Sequence, residues 1–450
     1  MKRFLEHDWA LTIAMFVVVG LGVMTLYSVT IGTSAEIVAR RQLLFVITGL
    51  VIYVILSLLH GKELRYPLIS FVIYGITLLG LVLTMFIGEE IRGATRWIPI
   101  GDFSLQFGEF AKVGMILAVA STLSWLRETA PEINIKKATW KDKVILYLMS
   151  AKLLWAIIVA LPAVILLILQ PSYGTAGLFV ATAGLMAMFA EEDKLKVILY
   201  LALGLSAAGL VLVLTNTAYS MYLPYAVAAA ALSLLIAVAG IIKKKLSLTT
   251  TLIIGLAILL LGIGGAFAWN NLLRDYHRER ITAFLGTADE ETQTVEDFQT
   301  RQALIAIGSG QMDGKGFAQG IQSRLRFLPD YHTDFVFAAY AEEFGFRGVI
   351  LLLVSYAALF MLLARRAGSV DSDFGQSIIE GSIVMLLSQF IINLGMNMGL
   401  LPVLGIPLPL FSYGGSTLWT SMALLGIAQS FPRKREGTTA IARVRGWDKV

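Results

Sequence analysis

Residues 9–29 read WALTIAMFVVVGLGVMTLYSV, a run without a single charged side chain. A helix crossing the hydrocarbon core of a bilayer needs about 20 apolar residues, and this run supplies them. Only the short, mildly basic segment Met1 to Asp8 precedes it. The run is too long for a signal-peptide core and lacks a clear small-residue cleavage site. It therefore reads as a retained first membrane helix. Working outward, comparable apolar runs place further spans near 42–59, 67–87, 110–126, 146–169, 174–190, 197–214, 222–242, 246–269, 346–363, 378–399 and 416–431.

Composition agrees with this reading. The chain has 450 residues, 57% of them hydrophobic and 15% charged, where a soluble domain carries roughly 25% charged residues. The expected fold is an all-α polytopic membrane protein of about 12 transmembrane helices, forming one domain over residues 1–450. A large extracytoplasmic loop, 270–345, lies between the ninth and tenth helices, and a basic cytoplasmic tail covers 432–450. There is no cysteine, so disulfides, thiolate metal sites and cysteine nucleophiles are excluded.

Charge sets the orientation. With the N-terminus in the cytoplasm, 23 of the 36 Lys and Arg fall on the inner side. Of the 13 left, seven lie in the long loop, and long loops translocate largely regardless of charge. The comparison is therefore 23 against 6, which predicts an inner-membrane protein with both termini cytoplasmic. The net charge of +5 reports orientation in a membrane protein and gives no reason to expect nucleic acid.

Three segments on the outer side are too polar, or too rich in Gly and Pro, to be ordinary connections. They are Glu89 to Gln106, the long loop, and the apolar stretch Leu401 to Gly415 with three prolines and three glycines. The last cannot be a regular helix. At membrane depth such backbone must be buried in protein or line a cavity.

The long loop carries three informative patches. Arg274, Arg278 and Arg280 cluster at a helix mouth, where they suit a phosphate or diphosphate but equally suit lipid headgroups. Lys315 sits between Gly314 and Gly316, where the backbone can approach an anion closely; it is not a Walker motif. His332, Thr333 and Asp334 precede an apolar stretch with Glu342 and Glu343 beyond. Thr333 and Asp334 read either as a helix N-cap, the commoner role, or as an acidic site. His332 is either a base or a hydrogen-bonded surface histidine. Within the spans, Glu109 and Lys112 are three apart on one helical face and can pair. An ion pair at that depth faces a bundle interior or a polar cavity, in a structural or a functional role. Trp97, after Arg96, reads as an aromatic residue of the interface.

Taken together, these patches resemble the SEDS family, the shape, elongation, division and sporulation proteins, and within it a RodA-like branch. The resembling pieces run in order. They are Gly93 to Gly101, Gln106 to Lys112, Gln170 to Thr175, Tyr276 to Ile281, Ala306 to Gly310, Gly314 to Gly316, Phe327 to Phe335, Ala341 to Gly345 and Gly405 to Ser416. The resemblance implies a peptidoglycan glycosyltransferase that polymerises lipid II for cell-wall elongation and cell shape, with undecaprenyl diphosphate as leaving group. It implies a class B penicillin-binding protein and other membrane proteins of the elongation complex as partners. Asp334 takes the place of the family's key acid. Glu109 and Lys112 take the places of its Glu and Lys. Arg278, Arg280, Lys315, His332 and Trp97 are the further candidates for substrate binding. No cofactor is certain; a divalent cation is an alternative source of positive charge.

The chain departs from the family pattern at three places. Phe107-Gly108 stand where Pro-Ser is usual, Ser172 stands where an Asp is usual, and two spans beyond the usual ten fall among 197–269. Two other functions compete with polymerisation. A flippase for lipid-linked precursors needs charges along its spans, whereas here the acids concentrate in one loop. A non-catalytic scaffold is suggested by Ser172 and opposed by the intact loop signature.

Overall fold

The computed structural model describes residues 7–33, 35–59, 61, 63–91, 94–101, 103–129, 151–191, 295–325 and 327–433. The expected spans 197–214, 222–242 and 246–269 lie outside them, as do Arg278 and Arg280. The chain divides into two compact units, one of 1–190, 302–398 and 404–450, the other of 191–301 and 399–403.

Ten α-helices are described: α1 (Trp9–Thr30), α2 (Glu36–Leu58), α3 (Pro67–Ile87), α4 (Phe107–Thr129), α5 (Lys152–Leu169), α6 (Tyr173–Phe189), α7 (Val295–Gly310), α8 (Val336–Ser369), α9 (Asp373–Asn397) and α10 (Gly415–Ser430). Seven of them are long and apolar enough to cross a membrane: α1 to α5, α8 and α9. The protein is thus a mostly helical, multi-pass membrane protein. It is not purely α. Between α3 and α4 lies an antiparallel meander of β1 (Glu89–Ile91), β2 (Ala94–Ile100) and β3 (Phe103–Leu105). These strands let a polar segment satisfy its own backbone hydrogen bonds.

Helix α4 is the centre of the first unit. Nearly all its residues from Gly108 to Leu126 are buried, and it packs against α3, α5, α6, α9 and α10. By contrast, α2 leaves Leu44, Ile47, Val51 and Ile55 more than half exposed, the apolar surface expected to meet lipid. The start of α1 and the segment after α10 meet at one end of the bundle. Asp8 pairs with Arg433, the Asp8 N–H donates to Gln429 Oε1 at 3.1 Å, and Gln429 Nε2 returns a bond to the Asp8 carbonyl at 3.0 Å. Arg366, almost fully buried, donates there to the carbonyls of Ala428, Gln429 and Phe431, closing the C-terminal end of α10.

Helix α8 begins at Val336, ten residues before the expected span, because it breaks and continues. Gly345 has a positive φ of 63° inside it. The break frees backbone groups, and the segment after α7 takes them up. Lys315 and Gly316 donate to the carbonyls of Glu342 and Glu343 at 3.0 and 2.9 Å, while the N–H groups of Phe346 and Arg347 donate to Gln311 and Met312 at 2.8 and 3.1 Å. Gly314 and Gly345 interlock there: a Cβ on Gly314 would run into the Glu343 carbonyl, and one on Gly345 would run into the Gly314 nitrogen. The kink is thus a built joint rather than a frayed helix.

Candidate functional site

Asp334 lies in a run of turns, 329–335, that delivers the chain into α8. The helix's N-cap position falls on Phe335, which makes no side-chain cap. The Ala338 N–H, three residues in, donates instead to Oδ1 of Asn397 on α9, at 3.1 Å. Thr333 Oγ1 donates backward to the Asp330 carbonyl at 3.3 Å. The capping reading of Thr333 and Asp334 is therefore overturned: the helix end is closed from a distant element.

What fixes Asp334 is its main chain. Its carbonyl accepts from Asn393 Nδ2 and from Asn397 Nδ2, both at 2.9 Å. These asparagines are one turn apart on α9 and fully buried. Asn393 also donates to the Ile406 carbonyl at 2.8 Å. The neighbouring residues are held as firmly, since the Thr333 carbonyl accepts from Ser412 Oγ at 2.6 Å and the His332 carbonyl from the Tyr413 N–H at 2.9 Å. The side chain of Asp334 remains half-buried. Gly405 passes beside it, so that a Cβ there would lie 3.6 Å from Oδ2.

The irregular segment that meets this loop, 404–414, is mostly buried. Gln42 on α2 grips it twice, Nε2 donating to the Ser412 carbonyl and Oε1 accepting from the Gly414 N–H, each at 3.2 Å. Buried Tyr356 on α8 donates to the Pro409 carbonyl, and Ser412 Oγ accepts from the Leu408 N–H at 2.8 Å. Polar side chains from three helices and from the segment itself thus satisfy backbone that no regular structure could.

The other candidates fall around this centre. Glu109 and Lys112 form an ion pair of 2.6 Å on the first turns of α4, both almost fully buried. The start of α4 adjoins the start of α10, where Ser416 Oγ accepts from the Gln106 N–H at 3.0 Å. Ser172 is the N-cap position of α6, and its Oγ donates to Thr175 Oγ1 at 3.2 Å. It neighbours the segment beside Asp334, because a Cβ on Gly174 would lie 2.9 Å from the Leu404 carbonyl oxygen. Arg96 on β2 holds the chain before α6 through the carbonyls of Gln170 and Pro171. Trp97, next along the strand, is half-buried and pairs across with Glu89.

Lys315 belongs to a second cluster. Its Nζ meets Glu342 Oε1 at 2.8 Å, and Glu342 is wholly buried. That carboxylate also accepts from the N–H groups of Ile321, Gln322 and Ser323 at 2.7, 2.9 and 3.3 Å. Glu342 therefore organises the loop 314–323, and the Lys315 ammonium is committed to it while remaining partly exposed. His332 is half-buried, its ring 5.2 Å from Tyr331 and 5.7 Å from Tyr413. Among the described residues no three acidic or histidine side chains gather in a metal-ligand set.

Sequence reasoning missed Gln42, Asn393, Asn397 and Ser412. The signal was present: amides inside otherwise apolar spans, two of them at i, i+4, are costly unless they bind something polar.

Comparison with known proteins adds the following. The profile of the FtsW/RodA/SpoVE cell cycle proteins matches residues 5–228 and 225–436. The chain is 27% identical, over 94% of its length and 97% of the relative's, to the peptidoglycan glycosyltransferase RodA of Treponema pallidum (strain Nichols). It is 30% identical, over 95% and 92%, to the probable peptidoglycan glycosyltransferase FtsW of Saccharophagus degradans. Among solved structures, a chain from work on the structural coordination of polymerization and crosslinking by a peptidoglycan synthase complex superposes with a TM-score of 0.61. It is 26% identical, over 94% of this chain and 97% of that one.

Proposed function

The chain belongs to the FtsW/RodA/SpoVE family of cell cycle proteins and is a peptidoglycan glycosyltransferase of cell-wall synthesis; on that premise we propose that it polymerises lipid II at Asp334, with inversion at the reacting sugar carbon. The observation that carries this reading is the pinning of the Asp334 main chain by two buried asparagines, while its carboxylate is not the cap of α8. A side chain on so fixed a backbone is pre-positioned for chemistry.

The reaction joins the 4-hydroxyl of one sugar to the carbon that bears an α-linked diphosphate on another. The new C–O bond forms from the face opposite the leaving diphosphate, so a β-1,4 link results and no covalent sugar–enzyme intermediate is needed. Asp334 takes the hydroxyl proton as the bond forms, a role worth typically 10²–10⁴-fold in rate. The diphosphate leaves with growing negative charge and needs cations beside it. Arg278, Arg280 and Lys315 are the candidates, Lys315 after exchanging part of its contact with Glu342. Trp97, Glu109, Lys112 and His332 complete the substrate-binding set. A divalent ion is an alternative for the charge; the described residues offer no ligand set for it, and no step is routed through one.

The charge distribution supports an inner-membrane orientation with Asp8 and Arg433 cytoplasmic and Asp334 outside. A class B penicillin-binding protein is the proposed partner, supported by the likeness to a chain of a synthase complex. The flippase reading is disfavoured by Glu109, neutralised by Lys112 on its own helix, and by Glu342, held in the loop cluster rather than along a span. Purified protein incubated with labelled lipid II tests the proposal: glycan chains are expected, and their absence with and without the partner overturns it.

A further inference from the structure

Three helices of the bundle, α4, α9 and α10, each carry buried polar side chains. Helix α9 runs antiparallel to α4, in a register fixed by the Arg127–Asp373 ion pair of 2.9 Å and by the close approach of Gly381 to Ile116. That register sets Gln389 level with residues 108–111 of α4. Helix α10 runs parallel to α4, in a register fixed by the bond from the Gln106 N–H to Ser416 Oγ. It sets Thr420 level with residue 110. Gln389, Thr420, Glu109 and Lys112 thus share one depth in the bundle, and all four are almost fully buried.

Two of these side chains have spare hydrogen-bonding capacity. Gln389 Nε2 and Thr420 Oγ1 are buried and have no partner among the described residues. Most helical hydroxyls in the described residues donate to the carbonyl one turn back, as Thr84, Thr122, Thr182, Ser382 and Ser421 do at 2.8–2.9 Å; Thr420 does not, and Ser121 on α4 shares its lack of a partner. An unmet buried polar group destabilises a fold, and a leucine or valine of similar shape would not. Both groups thus have hydrogen-bonding capacity left for a bound molecule.

The charges say what kind of partner. Glu109 and Lys112 neutralise each other at 2.6 Å, so this depth offers no net positive charge to a phosphate. An amide N–H and a hydroxyl suit uncharged oxygen. Gln389 also lies one helical turn, about 6 Å, from Asn393, which holds Asp334. A sugar held at Asp334 would therefore lie about one helical turn from Gln389.

We propose that Gln389 and Thr420 form a buried saccharide subsite that binds hydroxyl or carbonyl oxygens of the lipid II disaccharide. The proposal rests on the polymerase reading and extends it to how the sugar is held. The test uses the full-length protein and the variants Gln389→Leu and Thr420→Val. Three quantities are read: the melting midpoint without substrate, its rise on adding lipid II, and glycan synthesis. The expected result is a substrate-free midpoint equal to or above the wild type, with apparent affinity for lipid II at least tenfold weaker. Unchanged affinity in both variants overturns the subsite. So does a lowered midpoint that accompanies the loss, since that marks a structural role. Failure of the polymerase reading looks different: the wild type itself then shows no lipid II-dependent rise and makes no glycan, and both proposals fall.

Discussion

Asn397 serves Asp334 with both ends of its amide: Nδ2 donates to the Asp334 carbonyl at 2.9 Å, and Oδ1 accepts from the Ala338 N–H in the first turn of the helix that follows. A residue 63 positions from Asp334 in sequence thus closes the helix and steadies the turn before it, work that a capping aspartate would otherwise do.

The first prediction follows directly. Asp334→Asn keeps the size of the side chain and leaves the Asn393 and Asn397 bonds intact, since they go to the backbone. Expression and partner co-purification should match the wild type, with polymerisation near background, a loss of at least 10²-fold. Near-normal glycan synthesis would remove Asp334 from the mechanism.

Asn397→Ala should act on both stability and rate. It leaves the buried Ala338 N–H unmet, at a cost of about 1–3 kcal/mol, readable as a lower melting midpoint. It also loosens the Asp334 turn, and polymerisation should fall more than the stability loss explains, by tenfold or more at a temperature where the protein stays folded. A variant that melts early yet polymerises normally would separate the turn from the chemistry.

Lys315 and Glu342 can be told apart. Glu342→Ala strips a fully buried acceptor from Lys315 and three backbone N–H groups, and should cost about 3–5 kcal/mol. Lys315→Met leaves those N–H groups served and should cost less, about 1–3 kcal/mol. If Lys315 also receives the diphosphate, its methionine variant will lose more activity than its melting shift accounts for. Activity that tracks stability would confine Lys315 to holding the loop.

Orientation is open to a clean chemical test, because the chain has no cysteine of its own. Gly308 has open space where a Cβ would go, so Gly308→Cys should fold normally and react with a membrane-impermeant thiol reagent from outside. Lys244→Cys should react only after the membrane is opened. Labelling of position 244 in intact cells would overturn the placement of the lysine run 243–245 in the cytoplasm.

Ser172 addresses the scaffold reading. Its hydroxyl already bonds Thr175 at the head of α6, so the wild type should polymerise lipid II as it stands, and Ser172→Asp should change the rate by less than tenfold. A wild type without activity that gains it on this substitution would make the natural protein a degenerate relative.

Seven of the expected spans were legible, as the helices found among the described residues show, because burial in lipid demands long apolar runs. The start of α8 was not. Glu342, Glu343 and Arg347 mark a polar region in sequence, and only the loop 311–323 shows how the Glu342 and Arg347 charges and the freed backbone are accommodated at the kink. The strands 89–105 were hidden for a different reason, being short and held by one another rather than by a buried face. At the site, the local pattern Thr333-Asp334 argued for a cap, and a contact from Asn397 decided otherwise. Long-range partners of this kind leave no mark near the residue they serve, although the amides themselves stood out in their spans.

The interlocked glycines at the joint in α8 constrain how such a chain can drift over generations. Neither Gly314 nor Gly345 has room for a methyl group, and each is blocked by backbone belonging to the other's turn. A single substitution at either position has no small neighbouring adjustment to accommodate it, and changing both worsens the collision. Descendants that keep the kink should therefore retain glycine at the two sites as a unit, and lineages that lose one should have rebuilt the whole of 311–316. In a library of random variants selected for growth, these two positions should be more restricted than Lys315, which stands between the strands of that constraint and can still change its side chain.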